Sequence, residues 1–338
     1  MRTMCYIVPR VVRLHLALLL SALITVAANA APSATSDWKP EKNVEIITGA
    51  SPGGGNDRLA RAIQKILQEK QLVSTTSTVI NKAGGGNALS WTYLNQHPSD
   101  SHYLALANPN LITNHITGRS SLTHIEFTPI ALLLSEYITF AVRADSPLRS
   151  GKDLLEQLKK DSGAVSVSVG SALGGANHIA LAMVAKTIGA DVRKLKTVVF
   201  NAQGEAMTAL LGGHIAAVSA SASNSVALLK AGKIRVLGIS SPKRLSGAFA
   251  EVPTWKELGV DVVVNNWRAV IGPRGLTSAQ VIYWEDVFAR LAKSEEWQSE
   301  ANIYFLENTY LASRDTASYF ESQRTELQAI LAGLGLAR

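Results

Sequence analysis

The sequence predicts an α/β protein made of two βα lobes joined by two crossover strands, and three observations predict it. Short β-rich runs alternate with helical ones from residue 43 onward, the alternation restarts after residue 163, and the turns that follow the strands are rich in glycine and asparagine. Alternating βα units build a sheet covered by helices. At 338 residues, two blocks of this pattern make two lobes the natural expectation.

The first element is a targeting segment. Arg2, Arg10 and Arg13 precede the apolar run "LHLALLLSALITVAA", which ends in the small-residue pattern Ala28-Asn29-Ala30. This is the pattern of a secretory signal peptide over residues 1–30, with cleavage expected after Ala30. Cys5 is the chain's one cysteine and lies inside that segment, so the mature protein is expected to have no disulfide and no thiolate chemistry. Loss of the three arginines takes the formal charge from +7 to +4. That mild bias, with no basic cluster interleaved with aromatics, argues against a nucleic-acid partner.

Lobe one starts with the strand "NVEIIT", the turn "GASPGGGND" and a helix that carries Leu59, Ile63, Ile66 and Leu67 on one face. "STVIN", "NKAGGGN" and a helix from "NALSWTYLNQ" follow, then "YLALAN" and the turn "NPN" before a loop. The run "YITFAVRADSPL" reads as the first crossover strand. Lobe two repeats the alternation as "AVSVSVG", helix "NHIALAMVAKTIG", "KTVVFN", helix "GEAMTALLGG", "HIAAVSAS", helix "NSVALLKAG" and "IRVLGIS". "VVVNNWRAVIGPRG" reads as the second crossover. From about Thr277 the chain reads as helical, and Phe320, Leu327, Ile330 and Leu334 give its last helix one apolar stripe that returns to cover lobe one. The expected boundaries are 31–140 plus 268–338 for lobe one and 141–267 for lobe two. Both sheets are expected to be parallel.

The chemistry of the glycine-rich turns is that of backbone. A Walker loop needs Lys and Ser or Thr after its glycines, whereas Asn56, Asp57 and Arg58 follow Gly55; a dinucleotide fingerprint needs a third glycine where Arg58 stands. No cofactor is expected. What remains is strand, tight turn, helix, a geometry that aims free N–H groups and the positive end of a helix dipole at an anion. Open α/β sheets bind ligands beyond the carboxyl ends of their strands, where these turns lie. Asp57 falls in the first helical turn, either stabilising the helix or touching ligand, and the helix role is the expectation. His178 opens a lobe-two helix, as a cap, a packing residue or a ligand contact. The other histidines show no metal-ligand spacing, so no metal is expected. Trp267 is either a cleft residue or hinge packing. Ser171 follows Gly170 at a strand-to-helix turn, but its setting is GSxxG and not the GxSxG of a hydrolase elbow.

In order, "SPGGGNDRLAR", "VINKAGGGNAL", "VGSALGGANHIA", "GEAMTALLGGHI", "LKAGKIRVLGIS" and "VPTWKELG" resemble the solute-binding proteins of tripartite tricarboxylate transporters, the Bug family, from about Val44 to the C-terminus. The resemblance implies a Venus flytrap of the periplasmic binding protein type II-like class. It implies a periplasmic location, no catalysis, and a small organic carboxylate (di-, tri- or aromatic) passed by a monomer to membrane permease subunits. The ligand contacts it implies are Ser51, Gly53, Gly54, Ala83, Gly84, Gly85 and Asn87 from lobe one, and Ser171, Gly174, Asn201 and Gln203 from lobe two. Asp57, Asn108, His178 and Ser219 are further candidate contacts, from their place at or beside these turns. The family's Tyr-Lys-Gly after the second strand of lobe two is here Phe200-Asn201-Ala202-Gln203-Gly204, so its lysine is absent; Ala217 and Ser101 also depart from the pattern. A pocket without that lysine suits a ligand with a neutral or aromatic distal end as well as a second carboxylate. Two other classes stay open: a ligand-sensing subunit for a membrane sensor kinase, and a secreted serine hydrolase using Ser171 and His178.

Overall fold

The computed structural model describes residues 37–338 apart from Ser171 and Asn201. The expected signal peptide and its cleavage point lie outside the described residues. The first half of the chain runs β1 (Val44–Thr48), α1 (Gly55–Glu69), β2 (Ser77–Asn81), α2 (Ala88–Asn95), β3 (Tyr103–Ala107), α3 (Asn110–Ile116), β4 (Phe127–Ser135), β5 (Ile138–Arg143), α4 (Gly151–Lys160) and β6 (Val167–Ser168). It continues as α5 (Ala176–Thr187), β7 (Thr197–Val198), α6 (Gln203–Leu211), β8 (Ala217–Ser221), α7 (Ala222–Lys230), β9 (Ile234–Ile239), β10 (Arg268–Pro273), α8 (Ser278–Lys293), α9 (Glu295–Tyr304), β11 (Glu307–Ala312) and α10 (Ser313–Gly333).

The strands form two sheets, ordered β11-β4-β10-β3-β1-β2 and β7-β6-β8-β5-β9. β1 is parallel to β2 and β3, with Ile46 opposite Val79 and Leu104, and β6 is parallel to β7 and β8. The sheets are nevertheless mixed. β10 runs antiparallel to β3 and β4, and β5 antiparallel to β8 and β9. The reason is topological: a strand that has just crossed between lobes enters its new sheet from the cleft side, opposite to strands that end at the cleft.

Three further readings need correction. β5 pairs within the second sheet from Ile138, so the first crossing is at residues 136–137 and not after 140. The stretch after "NPN", read as a loop, contains α3 and β4. β4, "FTPIALLLS", is buried between neighbours on both sides, so it carries a continuous apolar run in place of the alternation that marks a half-exposed strand. The C-terminal stretch read as helical contains β11, whose "ENTYLA" is a short half-exposed edge strand that only pairing with β4 selects.

Alternation on the strands feeds two faces. Val44, Ile46, Leu104, Leu106 and Val270 point to one side, where Leu59 and Ile63 of α1, Trp284 and Phe288 of α8 and Trp297 of α9 cover them. Ile47, Ala105, Ala269 and Ile271 point to the other, into a core with Trp91, Leu111, Phe320 and Leu331 that continues into lobe two through Phe140, Val167, Ile179 and Trp255. Each large apolar side chain so enclosed contributes about 1.5–3 kcal/mol of transfer free energy. At the crossings, Glu136 and Asn266 exchange backbone bonds (3.3 and 2.8 Å) and Tyr137 bridges Asn265. Trp267 is fully buried there. Its ring stacks on Phe320 at 5.0 Å and its Nε1 donates to Gln323 Oε1 at 3.1 Å, which makes it hinge packing.

Candidate functional site

β1 delivers its chain to a turn in which Gly54 N–H donates to Ser51 O (3.0 Å) and Gly53 N–H donates to Asp57 Oδ2 (2.8 Å). β6 does the same at the opposing lobe: Gly175 N–H donates to Ala172 O (3.3 Å) and Gly174 N–H to His178 Nδ1 (2.9 Å). Gly53 and Gly174 hold φ of +80° and +78°, and Gly54 and Gly175 are extended at −72°/164° and −74°/168°. Two turns of one geometry therefore face each other, each opening a helix, although the sequence shows little beyond Gly-Gly-x-Asn in common. The positive φ is why glycine stands at 53 and 174.

Neither helix is capped by a side chain at its N-terminus. The N–H groups of a helix's first turn have no intrahelical acceptor, so α1 and α5 present donors and the positive ends of their dipoles to the space between them. Residue i+4 completes each turn from behind. Asp57 is 2% exposed and also accepts from Arg61 Nε (3.0 Å) and Asn81 Nδ2 (2.8 Å). Burial raises its pKa, but the hydrogen bonds from Arg61, Asn81 and Gly53 outweigh this and hold it below the ordinary carboxylate value. His178 does the same job uncharged: burial, helped by Arg119, lowers its pKa to about 4. Its Nδ1 is therefore the acceptor and its proton sits on Nε2.

The turn after β2 holds Gly84, Gly85, Gly86 and Asn87 all at positive φ. Asn114 donates to Gly85 O and Gly86 O (3.2 and 3.1 Å) and Asn110 to Gly86 O (3.2 Å), which fixes the turn's carbonyls against α3. Gly49 lets this turn approach β1, since a β-carbon there would lie 2.5 Å from Asn87 Cβ and 2.7 Å from its Cα. The lobes touch at the same place. A β-carbon on Gly86 would meet Ala172 Cβ at 2.9 Å, and one on Gly175 would meet Asn110 Oδ1 at 2.9 Å.

Between these turns is a cleft of about 110 Å³. A water needs roughly 10–15 Å³ by such a measure, so the space suits a small molecule. Of the residues expected to bind ligand, Ser51, Gly54, Asn87, Asn108 and Gln203 line it. Gly53, Asp57, Ala83, Gly84, Gly85, Gly174, His178 and Ser219 do not. Gly53, Asp57, Gly174 and His178 are spent on each other as described, Gly85 O is held by Asn114, and Ser219 Oγ donates to Asn177 O (2.8 Å). Ser171 and Asn201 lie outside the described residues.

Sequence reasoning missed Asn56, Asn110, Asn177, Asn224, Asn266 and Arg268, all of which line the cleft. Arg268, 8% exposed, donates to Asn56 Oδ1 (2.5 Å), to Asn266 Oδ1 (2.6 Å) and to Glu136 Oε1 (2.7 Å), while Glu136 Oε2 accepts from Ser223 Oγ (2.7 Å). Burial holds its pKa below the ordinary guanidinium value, with Glu136 opposing and Arg58 adding to the effect. The network ties the α1 terminus, both crossings and α7 together at the hinge. A signal existed: an arginine inside the apolar run "NNWRAVIG" needs a buried partner. Among the described residues no group of three or more His, Cys, Asp or Glu could hold a metal, and no helix is long and apolar enough to cross a membrane.

Comparison with known proteins fits this geometry. Protein BugT of Bordetella pertussis (strain Tohama I / ATCC BAA-589 / NCTC 13251) is 27% identical over 75% of this chain and 76% of its own length. A TctC solute binding protein from Polaromonas, solved without ligand, is 26% identical with a TM-score of 0.65, over 87% of this chain and 99% of that one. R. palustris Rpa4515 with adipate shares the fold at a TM-score of 0.81 and 22% identity, over 89% and 99%. The Polaromonas protein is a solute binding protein, and the fold is also that of periplasmic binding protein BugD, at a TM-score of 0.81. The model of the tripartite tricarboxylate transporter family receptor matches residues 59–336, and the chain belongs to that family.

Proposed function

We propose that this protein is exported to the periplasm, captures a small organic carboxylate in the cleft between its lobes, and delivers it to a tripartite tricarboxylate-type membrane transporter. The observation that carries the reading is the pair of uncapped helix termini, α1 and α5, facing one cleft that no acidic side chain lines among the described residues. A carboxylate there accepts from N–H groups that have no other acceptor, without repulsion from a neighbouring acid. The adipate bound by the R. palustris protein is consistent with this ligand class. The lobes of the proposed flytrap are residues 37–135 with 268–338, and 138–264. It acts as a monomer, after cleavage following Ala30.

No aromatic side chain lines the cleft among the described residues, which favours compact aliphatic acids over aromatic ones. Thermal-shift measurements with aliphatic mono-, di- and tricarboxylates and with benzoate test the reading, because a ligand that binds only the native state raises the melting temperature by mass action. At least one aliphatic acid should raise it in a concentration-dependent way. A panel without any such shift would overturn the proposal.

A further inference from the structure

Arg268 lines the cleft and pairs with Glu136 at 2.7 Å, and both side chains are buried. An apolar pair of similar volume would hold the crossing at least as well, since desolvation offsets much of the attraction between buried charges. Glu136 also cancels the positive charge, so the pair draws in no anion by net charge. What the ion pair adds is direction. Glu136 Oε1 accepts from Arg268 Nη2 while its Oε2 accepts from Ser223 Oγ (2.7 Å), which anchors the guanidinium in the wall.

A guanidinium donates and accepts nothing, so a carboxamide bonded to it must turn its oxygen inward and its NH2 away. The partner thereby settles which end of the amide is which. Two asparagines obey the rule. Asn266 gives Oδ1 to Nη1 (2.6 Å), and its Nδ2 then donates to Ser221 Oγ (3.0 Å). Asn56 gives Oδ1 to Nε (2.5 Å), and among the described residues this is the one hydrogen bond of its side chain. Its NH2 is unspent, on a half-buried residue that lines the cleft at the second position of α1. The lobe-two wall has unspent groups too, since Asn177 Oδ1 and Gln203 Nε2 are buried without a partner among the described residues and both residues line the cleft. Unmet polar groups on both walls mark the cleft as built for a polar ligand.

We infer that Arg268 is a positioning residue for the ligand: it turns the Asn56 carboxamide so that Nδ2 donates to the carboxylate held at the α1 terminus. This rests on the carboxylate reading above and adds to the backbone N–H groups one side-chain donor and the residue that aims it. The guanidinium also polarises the amide it bonds, which strengthens the N–H on the far side.

The test is a double-mutant cycle read by calorimetry on the mature chain, with acetate, succinate, adipate and citrate as probes and the tightest of them carried through. Arg268→Met alone would leave Glu136 buried and unpaired, so it is made together with Glu136→Gln, which keeps an acceptor for Ser223. This pair should lower affinity by about tenfold or more, as should Asn56→Ala, the loss expected for one hydrogen bond to a charged group. Made on Asn56→Ala, the pair should cost less than about twofold, because Arg268 then has no carboxamide to aim. A loss of the same size in both backgrounds would show Arg268 acting on the ligand directly or through the hinge, and full affinity in either Asn56→Ala or the pair would leave it a hinge residue; each overturns the inference and leaves the carboxylate reading standing. Asn56→Asp is the second arm, since it keeps the acceptor for Arg268 and removes the donor: it should melt no lower than wild type and lose about thirtyfold or more in affinity. Retained affinity there would overturn the inference as well. Failure of wild type to bind any of the four acids would overturn both readings.

Discussion

Replacing Asp57 by asparagine separates the structure of the first turn from its chemistry. The carboxylate is 2% exposed and takes three donors: Gly53 N–H and Arg61 Nε on Oδ2, and Asn81 Nδ2 on Oδ1. Asparagine keeps one oxygen and puts an NH2 where the other was, so the donor on that side loses its acceptor. Leaving one buried donor unmet costs about 1–3 kcal/mol. The ion pair with Arg61, whose side chain is 53% exposed, adds about 0–1 kcal/mol once screened by solvent. We therefore expect Asp57→Asn to lose about 1–4 kcal/mol in urea unfolding at pH 7 and to melt several degrees lower. Affinity should change by less than threefold, because the carboxylate does not line the cleft. The pH dependence gives an independent readout. The folded pKa of Asp57 lies below its ordinary value, so its stabilisation is present above an unfolded pKa of about 3.9 and is lost as pH falls through the folded one. The gap between wild type and variant should narrow below about pH 4. An unchanged melting temperature with a tenfold loss of affinity, about 1.4 kcal/mol, would refute the reasoning and place Asp57 against the ligand.

Three further outcomes follow from the same geometry. His178 is neutral in the fold with a pKa of about 4, so the unfolded chain binds its proton first, and stability should fall by up to about 3 kcal/mol as pH drops from roughly 6.5 to 4. His178→Asn keeps an acceptor for Gly174 N–H and should remove that dependence in urea titrations; an equal slope in both proteins would exclude it. Gly49→Ala places a β-carbon 2.7 Å from the Asn87 Cα and should cost about 1–3 kcal/mol by overpacking, with a lower melting temperature, and an undisturbed melt would show that the two turns have room to separate. Ala172→Phe should hold the lobes apart where Ala172 meets Gly86: wild type should shrink in small-angle scattering with a saturating ligand and the variant should not, whereas equal compaction would argue against closure at this contact.

Local chemistry was readable without a fold. The βα alternation and the apolar face of α1 follow from side-chain period within a few neighbouring residues, so they are legible in one dimension. The same holds for the anion-seeking turns, since an uncapped helix after a tight glycine turn presents N–H groups in any fold. Only the tertiary structure decided what the pairing of distant segments determines. β4 and β11 are strands because β10 and β4 pair with them, the sheets are mixed because the crossing strands enter from the cleft, and Asp57 and His178 are turned away because the backbone N–H groups four residues before them capture them first. Arg268 is the clearest case. Its position in the cleft wall depends on Asn56, Glu136 and Asn266 converging from segments 132 and 212 residues away and from next door in the chain. A buried charge takes its meaning from its partners, and sequence order does not say which partners arrive.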